Sequence, residues 1–154
     1  MRIRISSMPK SSIVQFVAEF STVFFNSLNS IQRAINDGDM HGANVYLAKF
    51  GELIRAVMRL SARNLITVET EISFLQAYLE MSLFRFNDLF SFKIDVDPIL
   101  ESWEIPPLIL QPFLENSILH GLLPLQQTGH LSLEMRPTKD HLLCTITDNG
   151  VGRA

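Results

Sequence analysis

Two short stretches of this chain carry the polar residues from which chemistry could be made. In the first, Leu110 to Gly121, Asn116 and His120 stand four residues apart, which places them on one side of a helix with Glu115 beside them. Their neighbours Leu110, Phe113, Leu114, Ile118 and Leu119 are apolar. Burying a carboxamide, an imidazole and a carboxylate among them costs free energy unless a ligand, an ion or water partners them. A solvated helix edge, with His120 doing no more than cap a helix C-terminus, accounts for the same residues. A zinc site does not, because no second histidine or cysteine lies at ligand spacing.

The second stretch, Asp148-Asn149-Gly150-Val151-Gly152, follows a strand-like run directly. Gly150 and Gly152 allow positive φ and close approach of the backbone to a ligand, and Asp148 can accept a hydrogen bond from an exocyclic amine. A nucleotide base fits those needs. Asp-Asn-Gly is also an ordinary turn, so its weight comes from standing in order after the first stretch.

The elements that must position these residues follow from the spacing of apolar side chains. Ile13, Val17, Phe20, Phe24, Leu28, Ile31 and Ile35 recur at helical spacing until Asn36, Asp37, Gly38 and Asp39 interrupt them. Leu47, Phe50, Ile54, Val57 and Met58 form a second stripe that ends near Ser61 to Asn64, and two such helices joined by a short polar loop make a helical hairpin. A hairpin with one apolar face is completed by a four-helix bundle of two chains, so a homodimer is expected; packing of both stripes on the rest of the chain is the alternative.

Thr67 is a helix N-cap for a third stripe, Ile72, Leu75, Leu79, Leu83 and Phe86, about five turns long. Phe92, Ile94 and Val96 then alternate with polar residues as a half-buried strand. Pro106 and Pro107 open a helix running to about His120, where Gly121 supplies a stop. Leu131 to Met135 and Leu142 to Thr147 are strands on either side of a polar turn, Pro137 to Asp140. The predicted class is α+β, a helical hairpin at 11–66 followed by an α/β sandwich at 67–154. That sandwich reads as unfinished, which predicts a bare strand edge and exposed apolar surface at its last strand.

Composition narrows the classes. The chain has 154 residues, 47% of them apolar, enough for a core. No apolar run approaches the roughly 18 residues of a membrane span, and no apolar h-region follows Arg2, Arg4 and Lys10, which favours the cytoplasm. A net charge of −3 offers no basic face for nucleic acid. The single cysteine, Cys144, lies in a strand-like run and reads as a small buried hydrophobe.

Residues 106–121, the two strands after them and residues 148–152 resemble, in order, the N box and first glycine box of the Bergerat-type ATPase domain. Further stretches select among its branches: Phe25-Asn26-Ser27-Leu28-Asn29-Ser30-Ile31-Gln32, Tyr46 to Arg55, Tyr78-Leu79-Glu80 to Arg85-Phe86, and Ile105-Pro106-Pro107 to Gly121 are similar to the LytS-type sensor histidine kinases. The similarity runs from about Phe16 to Arg153. It implies ATP with Mg²⁺ held between the N-box helix and the glycine loop, a dimer through the hairpin, and a response regulator as partner. On this chain the resemblance makes Asn116 the Mg²⁺-side ligand, puts Asp148 on the adenine amino group, and places Gly150 and Gly152 against the nucleotide. Glu115 and His120 match the N box as well, Glu115 as a helper of Mg²⁺-bound water or a structural contact.

The resemblance breaks at two places. Thr22 stands where the family has its phosphate-accepting histidine. A hydroxyl has no imidazole nitrogen on which a phosphoramidate could form. The family's ATP lid and second glycine box are also absent from this sequence. Two functions are therefore expected as alternatives: a sensor-kinase core of a two-component system with its own chemistry absent or weak, and a pseudokinase-like dimerisation scaffold that regulates an intact kinase. An ATPase of the topoisomerase or chaperone type would not need the Asn26 to Gln32 stretch.

Overall fold

The computed structural model describes residues 2–5, 12–125 and 127–152, with side chains from Phe24 onward. Helix α1 (Ser12–Asn36) and helix α2 (Met40–Ser61) form the expected hairpin. Gly38, at φ 79°, makes the turn between them, and the Asp39 carboxylate caps α2 by accepting the Gly42 N–H at 2.8 Å. Helix α3 (Val68–Arg85) begins at the predicted cap, where the Thr67 hydroxyl accepts the Thr70 N–H at 3.2 Å. It is 18 residues long, the expected five turns.

Strand β1 (Arg2–Ile5) precedes the hairpin, and the remaining strands follow it: β2 (Ile66–Thr67), β3 (Phe90–Val96), β4 (Glu104–Ile105), β5 (Gly129–Pro137) and β6 (Leu142–Asp148). The main sheet has the order β1-β6-β5-β3, with β3 parallel to β5 and the other pairs antiparallel. Short β2 and β4 pair separately and tie the start of α3 to the segment that leads into the N-box region.

Alternation along β5 and β6 turns Leu131, Leu133, Met135, Leu142, Cys144 and Ile146 inward. They join one core with Leu75 and Leu79 of α3 and with Leu114 and Ile118. Burying each such side chain contributes about 1.5–3 kcal/mol. Cys144 is fully buried, as expected, and burial followed by the charge of Glu71 pushes its thiol up to about 12.

Three expectations need correcting. The helix predicted from Pro106 and Pro107 begins only at Gln111, as α4 (Gln111–Asn116), and the proline in its first turn is Pro112. The apolar stripes of the hairpin divide between two faces. Ile31, Phe50 and Val57 are buried with Tyr46 and Leu53 against α3, whereas Leu28, Ile35, Leu47 and Met58 are exposed. Periodicity marks a stripe but does not say which of two neighbours covers it. The bare edge predicted on the last strand is also filled, since β1 pairs along β6 from Arg2 opposite Thr145 to Ile5 opposite Leu142. Four residues were too few to give a readable strand pattern.

Candidate functional site

The N-box segment is built in two parts. After the loop at 106–110, α4 carries Gln111, Leu114 and Glu115 inward and ends at Asn116. The helix then widens over Ser117–Leu122, and the Leu123 N–H reaches five residues back to the Ile118 carbonyl at 2.9 Å. Widened turns of this kind interrupt helices mostly at functional positions. Asn116 and His120 both project to solvent, and Glu115 is buried at 6% exposure.

Gly121, expected to stop the helix, instead lies inside the widened segment and receives the glycine loop. A β-carbon on Gly150 would run into the Cα, carbonyl carbon and oxygen of Gly121. A β-carbon on Gly121 would lie 2.8 Å from Asp148 Oδ1. The Val151 N–H donates to the Gly121 carbonyl at 3.1 Å, sealing the contact. The end of the N-box helix and the glycine loop therefore touch through backbone, which only glycine permits at this approach.

The loop is shaped by its own residues. Asp148 Oδ1 accepts the Gly150 N–H at 3.1 Å. Asn149 pairs with His130 of β5, accepting the His130 N–H at 2.6 Å and donating its own N–H to the His130 carbonyl at 3.2 Å. The two glycines have separate reasons. Gly152 takes φ 74° with open space around it, whereas Gly150 is required for room and not for a positive φ.

Glu71 was missed by sequence reasoning. It sits in the first turn of α3, fully buried, and accepts the Leu108 N–H at 2.8 Å and the Leu110 N–H at 3.3 Å. Leu110, the residue that precedes α4, makes no side-chain cap of its own. Glu71 thus caps the N-box helix from 39 residues away and holds Leu108 at φ 59°, a backbone state costly for a branched side chain. Burial pushes its carboxyl up to about 7, against the opposing pull of the Leu108, Leu110 and Ile109 N–H groups.

Further along α3, Tyr78, Ser82 and Arg85 continue the same buried stripe at helical spacing. The Tyr78 hydroxyl, fully buried, faces the Glu115 carboxylate and the Arg85 guanidinium. Burial first, and the neighbouring Glu115 charge second, push its ionisation far above the ordinary phenol range. A polar residue recurring every three or four positions in an otherwise apolar helix face was the available signal for this stripe.

The predicted residues fit a magnesium nucleotide in their chemistry. Asp148 keeps acceptor capacity beyond the Gly150 N–H, the exposed Asn116 carboxamide can offer oxygen, and the space at Gly152 is open. Mg²⁺ on a nucleotide takes only one or two protein groups beside phosphates and water. Among the described residues no group of three or more His, Cys, Asp or Glu could hold a metal by itself. Thr22 falls within α1, and its side chain lies outside the described residues. A cleft of about 610 Å³ lies elsewhere, between the hairpin and the end of α3, and includes Arg33, Lys49, Glu80 and Arg85. No described helix is long and apolar enough to cross a membrane.

Comparison with known proteins gives the chain its relatives. The histidine kinase family model matches residues 21–90. A sensor protein LytS of Oceanobacillus iheyensis is 35% identical over 128 residues, 83% of this chain and 21% of the relative. The sensor histidine kinase BtsS of Escherichia coli is 30% identical over 125 residues, 81% of this chain and 22% of the relative. The sensor histidine kinase YesM of Bacillus subtilis is 26% identical over 128 residues, with 83% and 22% covered. The chain spans about a fifth of the length of these relatives. Relatives of this kind over about four fifths of the chain, with the family model on residues 21–90, make this chain a member of the histidine kinase family, of the LytS type.

Proposed function

We propose that the chain is a nucleotide-binding and dimerisation module of a two-component sensor kinase, with a hairpin at 11–66 and an ATPase-like part at 67–154. The observation that carries this reading is the backbone contact of Gly121 with Gly150 and Val151, which brings the N-box helix and the glycine loop together as one surface. Bound there, ATP with Mg²⁺ would supply a transferable phosphoryl group. Asp148 would accept the base's amino hydrogen, Asn116 and His120 would line the nucleotide with Asn116 as the group that holds Mg²⁺, and Glu115 would serve as a helper of Mg²⁺-bound water or as a structural contact. Gly150 and Gly152 keep side chains out of the way. Phosphoryl transfer depends mainly on positioning and charge neutralisation, which such a set provides. Thr22 at the acceptor position cannot form a phosphoramidate, so histidine-type autophosphorylation at that position is excluded. The module acts in the cytoplasm on the path to a response regulator.

Calorimetric titration with a non-hydrolysable ATP analogue and Mg²⁺ tests the reading. Binding is expected, and Asp148→Asn, which removes a charge and turns one acceptor into a donor, is expected to abolish it.

The second reading, a scaffold that pairs chains, rests on the outer faces of the hairpin. Phe25, Leu28 and Ile35 on α1, and Met40, Leu47 and Met58 on α2, are all exposed at heptad-like spacing. A second copy of the hairpin would cover both stripes in a four-helix bundle. Sedimentation velocity at micromolar concentration should show a two-chain species, and a monomer there would remove this reading.

A further inference from the structure

The start of α3 holds the segment that leads into the N box at several points. The Val68 N–H donates to the Trp103 carbonyl at 2.8 Å and the Glu69 N–H to the Glu101 carbonyl at 3.1 Å, while Ile66 and Thr67 pair with Ile105 and Glu104. One turn further along α3, the Glu71 carboxylate accepts the Leu108 N–H at 2.8 Å and the Leu110 N–H at 3.3 Å. From Leu110 the chain is helical without a break, through α4 to Asn116 and through the widened turns to Leu122. Gly121 within those turns lies against the backbone of Gly150. The place where α4 begins therefore decides where Asn116 and Gly121 stand.

We propose that Glu71 is a positioning residue for the nucleotide site, which grips Leu108 and Leu110 and so fixes the start of the N-box helix and the places of Asn116 and Gly121. Three features support it. The carboxylate is fully buried and comes from a different helix, whereas a cap serving stability alone would cost less as Ser, Thr or Asp in place of Leu110. Leu108 is held at φ 59°, a state that persists only where the surroundings enforce it, and such residues gather at functional sites. Both carboxylate oxygens are engaged, so the grip fixes direction as well as distance.

The grip also responds to protons. The loop turns the N–H groups of Leu108, Ile109 and Leu110 toward the carboxyl, and the sheet brings the neutral Cys144 thiol near it. Ionised, Glu71 offers a full acceptor to each of its two N–H partners, whereas protonated it carries a hydrogen on one oxygen and accepts poorly there. Nucleotide binding that selects the gripped loop therefore favours the ionised form and releases protons. The inference rests on the nucleotide reading given above.

The test titrates wild type and Glu71→Gln with the ATP analogue and Mg²⁺ near pH 7, in two buffers of different ionisation enthalpy. Emission of Trp103, the one tryptophan in the sequence, checks that both proteins are folded. Glutamine keeps the size and one acceptor but turns a donor toward a donor. Its Kd should rise about tenfold at unchanged stoichiometry, the size expected when a hydrogen bond to a charged group is lost. Wild type should also release more protons on binding than the variant, since any proton from the analogue is common to both. A residue serving stability alone would lower the fraction of chains that bind, leave the Kd of the rest unchanged and give equal proton release, which overturns the proposal. If Glu71→Gln does not fold, Glu71→Asp takes its place. Its shorter carboxylate reaches one N–H and not both, so a Kd equal to that of wild type contradicts the proposal. A folded wild-type chain that does not bind removes the nucleotide reading and this inference with it. Wild-type binding with an unaffected folded variant removes the inference alone.

Discussion

Replacing Glu71 by alanine is expected to lower the unfolding free energy by about 2–5 kcal/mol, the cost of leaving buried N–H groups without an acceptor and of losing the packed stem. Both carboxylate oxygens are in use, on Leu108 and Leu110, and the residue has no exposure to solvent through which water could replace them. The loop at 106–110 would relax, and α4 would lose the contact that Glu71 makes at its start. Chemical denaturation of wild type and Glu71→Ala measures the difference directly.

The same residue gives stability a pH signature. Its carboxyl is raised from 4.5 to about 7 in the fold. Between those values the unfolded chain has released the proton while the folded chain still holds it, so the fold binds more protons and stability falls as pH rises. The contribution is complete below about pH 4.5 and gone above about pH 7, a span worth roughly 3 kcal/mol. Among the described residues the Cys144 thiol feels the Glu71 charge, and it stays neutral throughout that window. Glu71→Gln should flatten the slope between pH 5 and pH 7 while keeping one acceptor for the loop. An unchanged slope would show that Glu71 titrates normally.

The second large effect is expected at Gly150. A methyl group there meets the backbone of Gly121, which no rotamer change can relieve, so the loop must withdraw from the helix and give up the Val151 to Gly121 hydrogen bond. Overpacking of this kind costs about 1–3 kcal/mol. Because the strain falls on the nucleotide-facing surface, affinity for the ATP analogue should drop at least about tenfold, as a loss of roughly 1.4 kcal/mol implies. Gly152→Ala meets no atom and suffers only its positive φ, so it should cost about 1 kcal/mol and weaken binding less. If Gly150→Ala binds as wild type does, the contact of helix and loop is not part of the site.

Most long elements were legible because each presents a strong period. Alternation in β5 and β6 and the 3.6-residue repeat of α3 have only one way to be buried, and Thr67 marks the helix start by its own hydrogen bond. The hairpin stripes were harder. Helices α1 and α2 each carry apolar residues on two faces, one against α3 and one outward, and a list of apolar positions merges the two. Strand β1 and the short β2 and β4 ladders are fixed by distant partners, so local sequence does not specify them. Within the site, the N-box polar residues and the glycine loop were visible as motifs, but their contact through Gly121 was not, because a glycine after a helix reads equally as a stop. Glu71 acts on Leu108 and Leu110 far along the chain, and only the fold brings them together.

The central claim is that residues of the N box and the glycine loop form one nucleotide site, and titration of the folded chain with the ATP analogue and Mg²⁺ tests it most directly, alongside Asp148→Asn. Saturable heat that disappears in the variant, with the fold of both proteins intact, is the predicted result. No binding by the folded wild-type chain, or equal binding by wild type and Asp148→Asn, would contradict the account.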